Sequence, residues 1–333
     1  MGDGNNTPGP GIQDRSGSIQ NPGRRQPNRA GGLSPAVNLA IGCFSGVLSV
    51  SISAPFDRVK ILLQCQHEVR RSGRLVEPYQ GIINCTRRIY RTEGFRSLWR
   101  GNAAACIKYI PEQMMSFALK DKMAAMMRVS KQESNMVKMT KYIGAGAIGS
   151  FSSLALIYPL DYCRTRLAAD VLNTGKVKTG TRQFEGIIDV FRKTIRSDGV
   201  VGLYRGFMVS CLGIVVYRGL YLGLYDTFSP MLINYDCPRM ISAMVLGYGV
   251  TITAGLVSYP LDTIRRRMMM RSCEEVKYRG WIDCARYAIR NDGFISLYGG
   301  VVVNLVKGFA GLPILIGYDG IKRYYTKSRL ENN

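Results

Sequence analysis

The chain is poor in the residues from which most catalytic and metal sites are built. It has one histidine, His67, in 333 residues, and its nine cysteines include no CxxC pair. Metal-ligand spacing is therefore absent, and no metal or cofactor is expected. No catalytic-triad pattern and no glycine-rich phosphate loop occurs, so no enzyme activity is expected. A disulfide framework does not suit a chain this long whose cysteines fall inside apolar runs; they read as reduced packing residues. Acidic residues are scarce: 23 Asp and Glu stand against 45 Lys and Arg, leaving a net charge of +22. That excess points to anionic partners, whether nucleic acid, an anionic membrane surface or phosphorylated small molecules.

Charge is also missing locally. Ala36–Phe56, Tyr142–Leu160 and Met240–Leu261 contain no charged residue, and each is long enough to cross a bilayer as a helix. The competing reading is three buried helices of a soluble helical repeat, which the mean hydropathy of −0.02 favours. A bundle lining a polar cavity gives the same value. Residues 1–35 lack apolar periodicity and are rich in Gly, Pro, Asn, Ser and Arg, the composition of a disordered tail. They contain no apolar core of a secretory signal. Their prolines and glycines oppose the amphipathic helix of a transit peptide, despite Arg15, Arg24, Arg25 and Arg29.

What the chain does have is a threefold repeat. PFDRVK at 55–60, PLDYCR at 159–164 and PLDTIR at 260–265 each carry a proline, an acid two residues on and a base five residues on. EGFRSLWRG at 93–101, DGVVGLYRG at 198–206 and DGFISLYGG at 292–300 keep step, as do YQG at 79–81, FEG at 184–186 and YRG at 278–280. Three phrases in three copies and one order define three repeats, at 36–133, 134–235 and 236–328. Each reads as a long helix, a loop, a short amphipathic helix and a second long helix. The first helices are expected at about 36–66, 138–170 and 238–271, the short ones at about 80–92, 185–197 and 279–291, and the second long ones at about 101–128, 207–228 and 301–326. The expected fold is an all-α membrane protein with six transmembrane helices in pseudo-threefold order and both termini on one side.

The repeated prolines fall inside the odd-numbered spans, where each removes a helix hydrogen bond and bends the chain. Small residues at four-residue spacing, Gly42 and Gly46, Gly146 and Ser150, Gly247 and Thr251, suit close helix approach. The even-numbered spans carry charge: Lys108 and Glu112, Arg218, and Lys307. A charge at bilayer depth normally faces a cavity or a partner. Seven residues past the glycine that ends the second phrase stand Lys108, Gly213 and Lys307, so these three are expected at one depth around one axis.

The PX[DE]XX[KR] and [DE]GXXXX[YWF][KR]G phrases, complete or nearly so in all three repeats, resemble the mitochondrial carrier family over about residues 36–326. Within it, RRRMMM at 265–270, RTRLAADV at 164–171, YRGLYLGLYDT at 217–227 and GLVSYPLDT at 255–263 look like the ADP/ATP carriers. The resemblance implies adenine-nucleotide exchange by alternating access at the mitochondrial inner membrane, by a monomer. It implies a matrix gate of three ion pairs: Asp57 with Arg164, Asp161 with Arg265, and Asp262 with Lys60. It also implies an adenine-facing slot at Gly213, Ile214 and Tyr217, and further substrate contacts at Arg218, Ser258 and Arg266. Two arginines of that family are here Lys108 and Lys307, which keep a point charge for phosphate without the bidentate fork. A basic residue of its first helix is here Val50. Glu112 adds an acid one turn from Lys108, close enough to pair.

The opposite, cytoplasmic gate departs more. The acids Asp121, Asp226 and Asp319 are followed three residues on by Ala124, Ser229 and Lys322, so Asp226 with Lys322 is the pair that remains. Cardiolipin is implied at helix starts marked by Gly81, Gly101, Gly186, Gly206, Gly280 and Gly300, where free backbone amides attract phosphate; Gly299 replaces a base at the third site. Other readings stay open: a carrier of another phosphorylated or carboxylate metabolite, and a transport-impaired scaffold or proton-leak paralogue. Nucleic-acid binding is suggested by charge alone and opposed by the uncharged spans, so no nucleic-acid partner is expected.

Overall fold

The computed structural model describes residues 35–129, 135–172, 182–233, 239–272 and 278–307. Every regular element among them is helical. Repeat one supplies α1 (Pro35–Arg71), α2 (Ile82–Glu93) and α3 (Asn102–Val129). Repeat two supplies α4 (Asn135–Ala169), α5 (Ile187–Gly202) and α6 (Phe207–Ile233). Repeat three supplies α7 (Arg239–Met270), α8 (Trp281–Asp292) and α9, described over 301–307. The expected tail and the far half of the sixth span lie outside the described residues.

The order of elements matches the sequence pattern, and the boundaries shift for local reasons. Helix α1 runs on to Arg71 rather than stopping near 66, because Val69 is buried and continues the apolar stripe, while Arg70 and Arg71 suit a helix C-terminus. In repeats one and three the second phrase folds as a 3-10 helix, Phe95–Trp99 and Phe294–Tyr298, which periodicity did not announce. In repeat two the same phrase continues α5 to Gly202 through a bend at Gly199, whose φ is 68°.

Pro55, Pro159 and Pro260 lie inside α1, α4 and α7, and Pro111 and Pro230 lie inside α3 and α6. Each even-numbered span packs along the next repeat's odd-numbered one, α3 on α4 and α6 on α7, and α1 against α7 closes the circle. Each short helix packs on the latter half of its own repeat's long helix and so carries its own core. Cys85 and Ile89 sit on Ile61 and Leu62, Val190 on Tyr162 and Cys163, and Cys284 and Ala288 on Ile264. The described cysteines are free.

The outer surface is apolar. Phe44, Leu48, Leu156, Val215, Leu222 and Val257 are exposed, a surface that suits lipid rather than water. Phe207–Pro230, at a mean hydropathy of 1.7, is the described helix that is long and apolar enough to cross a membrane on composition alone. The odd-numbered spans are uncharged over similar lengths, but Gly, Ser and Thr dilute them. Close approach at small residues is more selective than their spacing suggests. A Cβ on Gly46 would collide with the Tyr109 ring, whereas Gly42 and Gly247 face open space.

Beneath the bundle, ion pairs tie the repeats together. Glu93 receives Arg58 at 2.7 Å and Arg182 at 3.1 Å, joining repeats one and two. Asp292 receives Arg267 at 2.7 Å and Arg71 at 2.8 Å, joining repeats three and one. Glu68, almost fully buried, receives Arg71 at 2.8 Å, Arg271 at 2.6 Å and the Tyr278 hydroxyl at 2.8 Å. Burial, with Glu68 beside it, pushes the Tyr278 hydroxyl above the usual tyrosine range and keeps it a donor.

Candidate functional site

The site begins with the three prolines. The acid two residues on and the base five residues on are just under one helical turn apart, so both face the axis where α1, α4 and α7 converge. There Asp57 meets Arg164, and Asp161 meets Arg265, each in a short ion pair. Asp262 lies 3.4 Å from Lys60. All six residues of the expected matrix gate are thus brought together in a ring.

The ring holds more base than expected, because each acid has a second partner. Lys307 donates to Asp57 at 2.5 Å, Lys108 donates to Asp161 at 2.7 Å, and Arg266 Nε donates to Asp262 at 3.2 Å. Gln64 also donates to Asp262 at 3.2 Å, and Lys60 donates to Asn304 at 3.2 Å. The ring side chains retain between 12% and 26% of their exposure. Desolvation offsets much of the Coulomb gain at that depth, leaving pairs that can be broken.

A cavity of about 300 Å³ opens on the ring. Gly213, Ile214 and Tyr217 of α6 form one wall, Ser258 of α7 another, and Asp262 and Arg266 its charged floor. Glycine leaves a flat recess between an apolar side chain and an aromatic ring. Tyr217 begins a stack along α6: Tyr221 lies 6.2 Å from it and Tyr225 6.1 Å further, with nearly parallel rings. Arg218 points elsewhere. It is exposed and does not line the cavity, because one step along a helix turns a side chain by about a hundred degrees. Glu112 stands 3.9 Å from Lys108 and is half exposed.

A family model described as "Mitochondrial carrier protein" matches residues 31–131, 135–236 and 238–329. The chain belongs to the mitochondrial carrier family. It is similar to an "ADP,ATP carrier protein" of Chlamydomonas reinhardtii, 46% identical over 287 residues that span 86% of this chain and 93% of that one. It is also similar to "ADP,ATP carrier protein 1, mitochondrial" of Gossypium hirsutum, 44% identical over 298 residues, 89% of this chain and 77% of that one. The corresponding Arabidopsis thaliana protein, "ADP,ATP carrier protein 2, mitochondrial", is 43% identical over the same shares.

As a mitochondrial carrier the chain is a transporter with an all-α fold. Of the residues expected at its cytoplasmic gate, Asp226 is exposed near the end of α6. The Asp121 side chain, Asp319 and Lys322 lie outside the described residues. Of the six glycines expected at lipid sites, Gly81, Gly186 and Gly280 precede the first turns of α2, α5 and α8 without a side-chain cap, which leaves their backbone amides available. Gly101, Gly206 and Gly300 have φ of 85°, 81° and 79° and immediately precede α3, α6 and α9. Between Gly101 and Gly186 lies a groove of about 810 Å³, with Arg100 and Arg192 beside the apolar Ile107 and Ile188.

Reading the sequence missed Asn304, Gln64, Tyr221 and Tyr225. The tyrosines had a signal, their four-residue spacing. Asn304 and Gln64 had none within one repeat, because their partners lie in another.

Proposed function

We propose that this chain exchanges adenine nucleotides across the mitochondrial inner membrane by alternating access. The observation that carries the reading is the cavity. A glycine, an aliphatic side chain and an aromatic ring form a slot for a flat base, and arginine and lysine stand at its floor within reach of phosphate. Similarity to ADP,ATP carrier proteins over most of the chain supports the same substrate. Asp57, Asp161 and Asp262, with Arg164, Arg265 and Lys60, act as the matrix gate and close the cavity on that side. Asp121, Asp226, Asp319 and Lys322 act at the opposite gate. The termini face the intermembrane space, and the carrier works as a monomer.

Cardiolipin binds at the paired helix starts. The groove between Gly101 and Gly186 supports this, because apolar walls suit acyl chains, and Arg192 with the uncapped start of α5 suits a phosphate beside Glu185 and Asp189, which also line it. Glu112 favours a second reading. An acid beside Lys108 lowers the positive charge near the cavity and suits a substrate with fewer negative charges, such as another phosphorylated or carboxylate metabolite. Purified protein in liposomes distinguishes the two. Exchange of ADP for ATP, with raised thermal stability in either nucleotide, supports the first reading. Exchange of other metabolites without a response to adenine nucleotides replaces it with the second.

A further inference from the structure

The repeats meet a second time below the ring. Glu68 lies eight residues beyond Lys60 on α1, about 12 Å further along the helix. It pairs with Arg271 of repeat three at 2.6 Å and accepts a hydrogen bond from the Tyr278 hydroxyl of that repeat at 2.8 Å. Asp170, just past the end of α4, pairs with Arg100 at 2.6 Å and lies 3.6 Å from Arg74, both of repeat one. The two acids, with Arg74 and Arg271, line one void of about 10 Å³, room for no more than a single water. A solute that passes the ring cannot pass this layer while it is closed.

Burial and polarity set the layer apart from the ring. The side chains of Glu68 and Asp170 keep 1% and 0% of their exposure, whereas those of Asp57, Asp161 and Asp262 keep 14%, 12% and 26%. In the ring, the acid of each repeat faces a base of the next repeat. Below it, the acid faces a base of the preceding one: Glu68 of repeat one with Arg271 of repeat three, Asp170 of repeat two with Arg100 of repeat one. Where α1 meets α7, one side therefore carries a base and then an acid, Lys60 and Glu68. The other carries an acid and then a base, Asp262 and Arg271. Sliding one past the other by about two turns would set Lys60 against Arg271, or Glu68 against Asp262.

We infer that Glu68 with Arg271, and Asp170 with Arg100, form a second layer of the matrix gate that parts whenever the ring parts. Its reversed polarity brings the repeats back in register on closing. This rests on the ring being the matrix gate. The sign of each test follows from burial. With both partners present, opening carries acid and base into water together. Removing one leaves its partner's charge largely buried in the closed state and hydrated in the open one, so each single neutralisation favours opening. Removing both leaves no such charge and favours opening less than Glu68→Gln alone. Loss of packing predicts the opposite, two costs that add.

The test uses the full chain, with spin labels on ketone-bearing residues in place of Arg91 and Arg290, so that the native thiols stay untouched. Both positions are exposed, one on α2 and one on α8, and their separation reports the seam between repeats one and three. Glu68→Gln should raise the ratio of long to short separations about tenfold, the scale of one buried contact to a charged group. Arg271→Gln, in which Glu68 keeps Arg71 and Tyr278, should raise it about threefold. The double variant should fall below Glu68→Gln. Asp262→Asn, a change in the ring itself, should also raise the ratio. Labels in place of Arg91 and Arg196, the latter exposed on α5, read the other seam, where Asp170→Asn should act in the same way.

The inference is overturned if Glu68→Gln leaves the separation unchanged while Asp262→Asn lengthens it, or if the double variant opens as far as the two single changes combined. An unchanged Arg91–Arg196 separation in Asp170→Asn overturns the Asp170 half. A seam that answers to neither Glu68→Gln nor Asp262→Asn overturns the gate reading and this layer together.

Discussion

Gly206 lies against the backbone of Arg265, so close that a Cβ built on it would stand 3.0 Å from the Arg265 carbonyl oxygen. The relationship recurs around the axis. Gly101 stands in the same way over the carbonyl of Arg164, at 3.0 Å, and Gly300 over that of Lys60, at 3.1 Å. Each glycine that ends the second phrase is therefore seated on the ring base of the next repeat. It fixes where one repeat's second long helix starts relative to the next repeat's share of the ring. The recurrence of the two phrases together thus has a mechanical content: one supplies the charge, the other the seat on which the charged helix rests.

Gly206→Ala is expected to disturb that seat. Its left-handed backbone alone costs an L-residue about 1–2 kcal/mol, and the methyl group must also displace the Arg265 carbonyl. Gly280→Ala meets open space at an extended backbone and should stay within about 0.5 kcal/mol of wild type. Thermal melting of the two variants checks the contrast. Equal melting temperatures would mean that the helix start relaxes freely.

The base slot makes a separate prediction. Tyr217→Ala should weaken nucleotide binding by about fivefold or more, the scale of a lost base–aromatic stack. A Cβ on Gly213 meets only Leu261, at 3.7 Å, so Gly213→Ala should fold and bind, whereas Gly213→Leu fills the recess and should stop exchange with little change in melting temperature. Exchange in liposomes decides the matter. Unchanged kinetics in both Tyr217→Ala and Gly213→Leu would remove the slot as argued.

Beneath the gate, Glu68 gathers Arg71, Arg271 and Tyr278. Glu68→Gln takes the buried carboxylate charge from the partly buried Arg71 and Arg271, while Arg71 keeps Asp292, and should cost about 2 kcal/mol. Tyr278→Phe removes one hydrogen bond and should cost about 1 kcal/mol. Both are read by melting in detergent with cardiolipin held constant. A Glu68→Gln variant as stable as wild type would show that the seam between repeats one and three does not depend on the Glu68 charge.

The two gates are unequal in sequence. Three acid–base pairs stand at the matrix ring, against Asp226 with Lys322 at the other end. Exposed pairs contribute about 0.2–1 kcal/mol each, so restoring two bases with Ala124→Lys and Ser229→Lys should raise the matrix-open population by a few-fold, up to about thirtyfold. Paired spin labels across the cytoplasmic helix ends measure it. A wild type already closed on that side would assign that gate to packing.

Much of the molecule was legible in one dimension because a repeat displays its design three times. The proline phrases located Asp57, Asp161, Asp262 and their bases, since spacing within a helix fixes which side chains share a face. The charge-free runs located the odd-numbered spans. These are local relations, and the sequence by itself determined them, whereas Gly213, Ile214 and Tyr217 were singled out by resemblance to a carrier family and not by spacing.

The second partners of the gate acids were settled only by the tertiary structure. Lys108 is separated from Asp161 by 53 residues and Lys307 from Asp57 by 250. Read along the chain, Lys108 had only Glu112 within reach. Whether a lysine faces a cavity or a carboxylate depends on the helix that packs opposite, and no spacing within its own repeat contains that information. The exposure of Arg218 has the same origin: its depth along α6 was readable, but its direction depends on how α6 rotates against α7. Local periodicity determines depth and face, whereas the packing of one repeat on the next decides which charges meet.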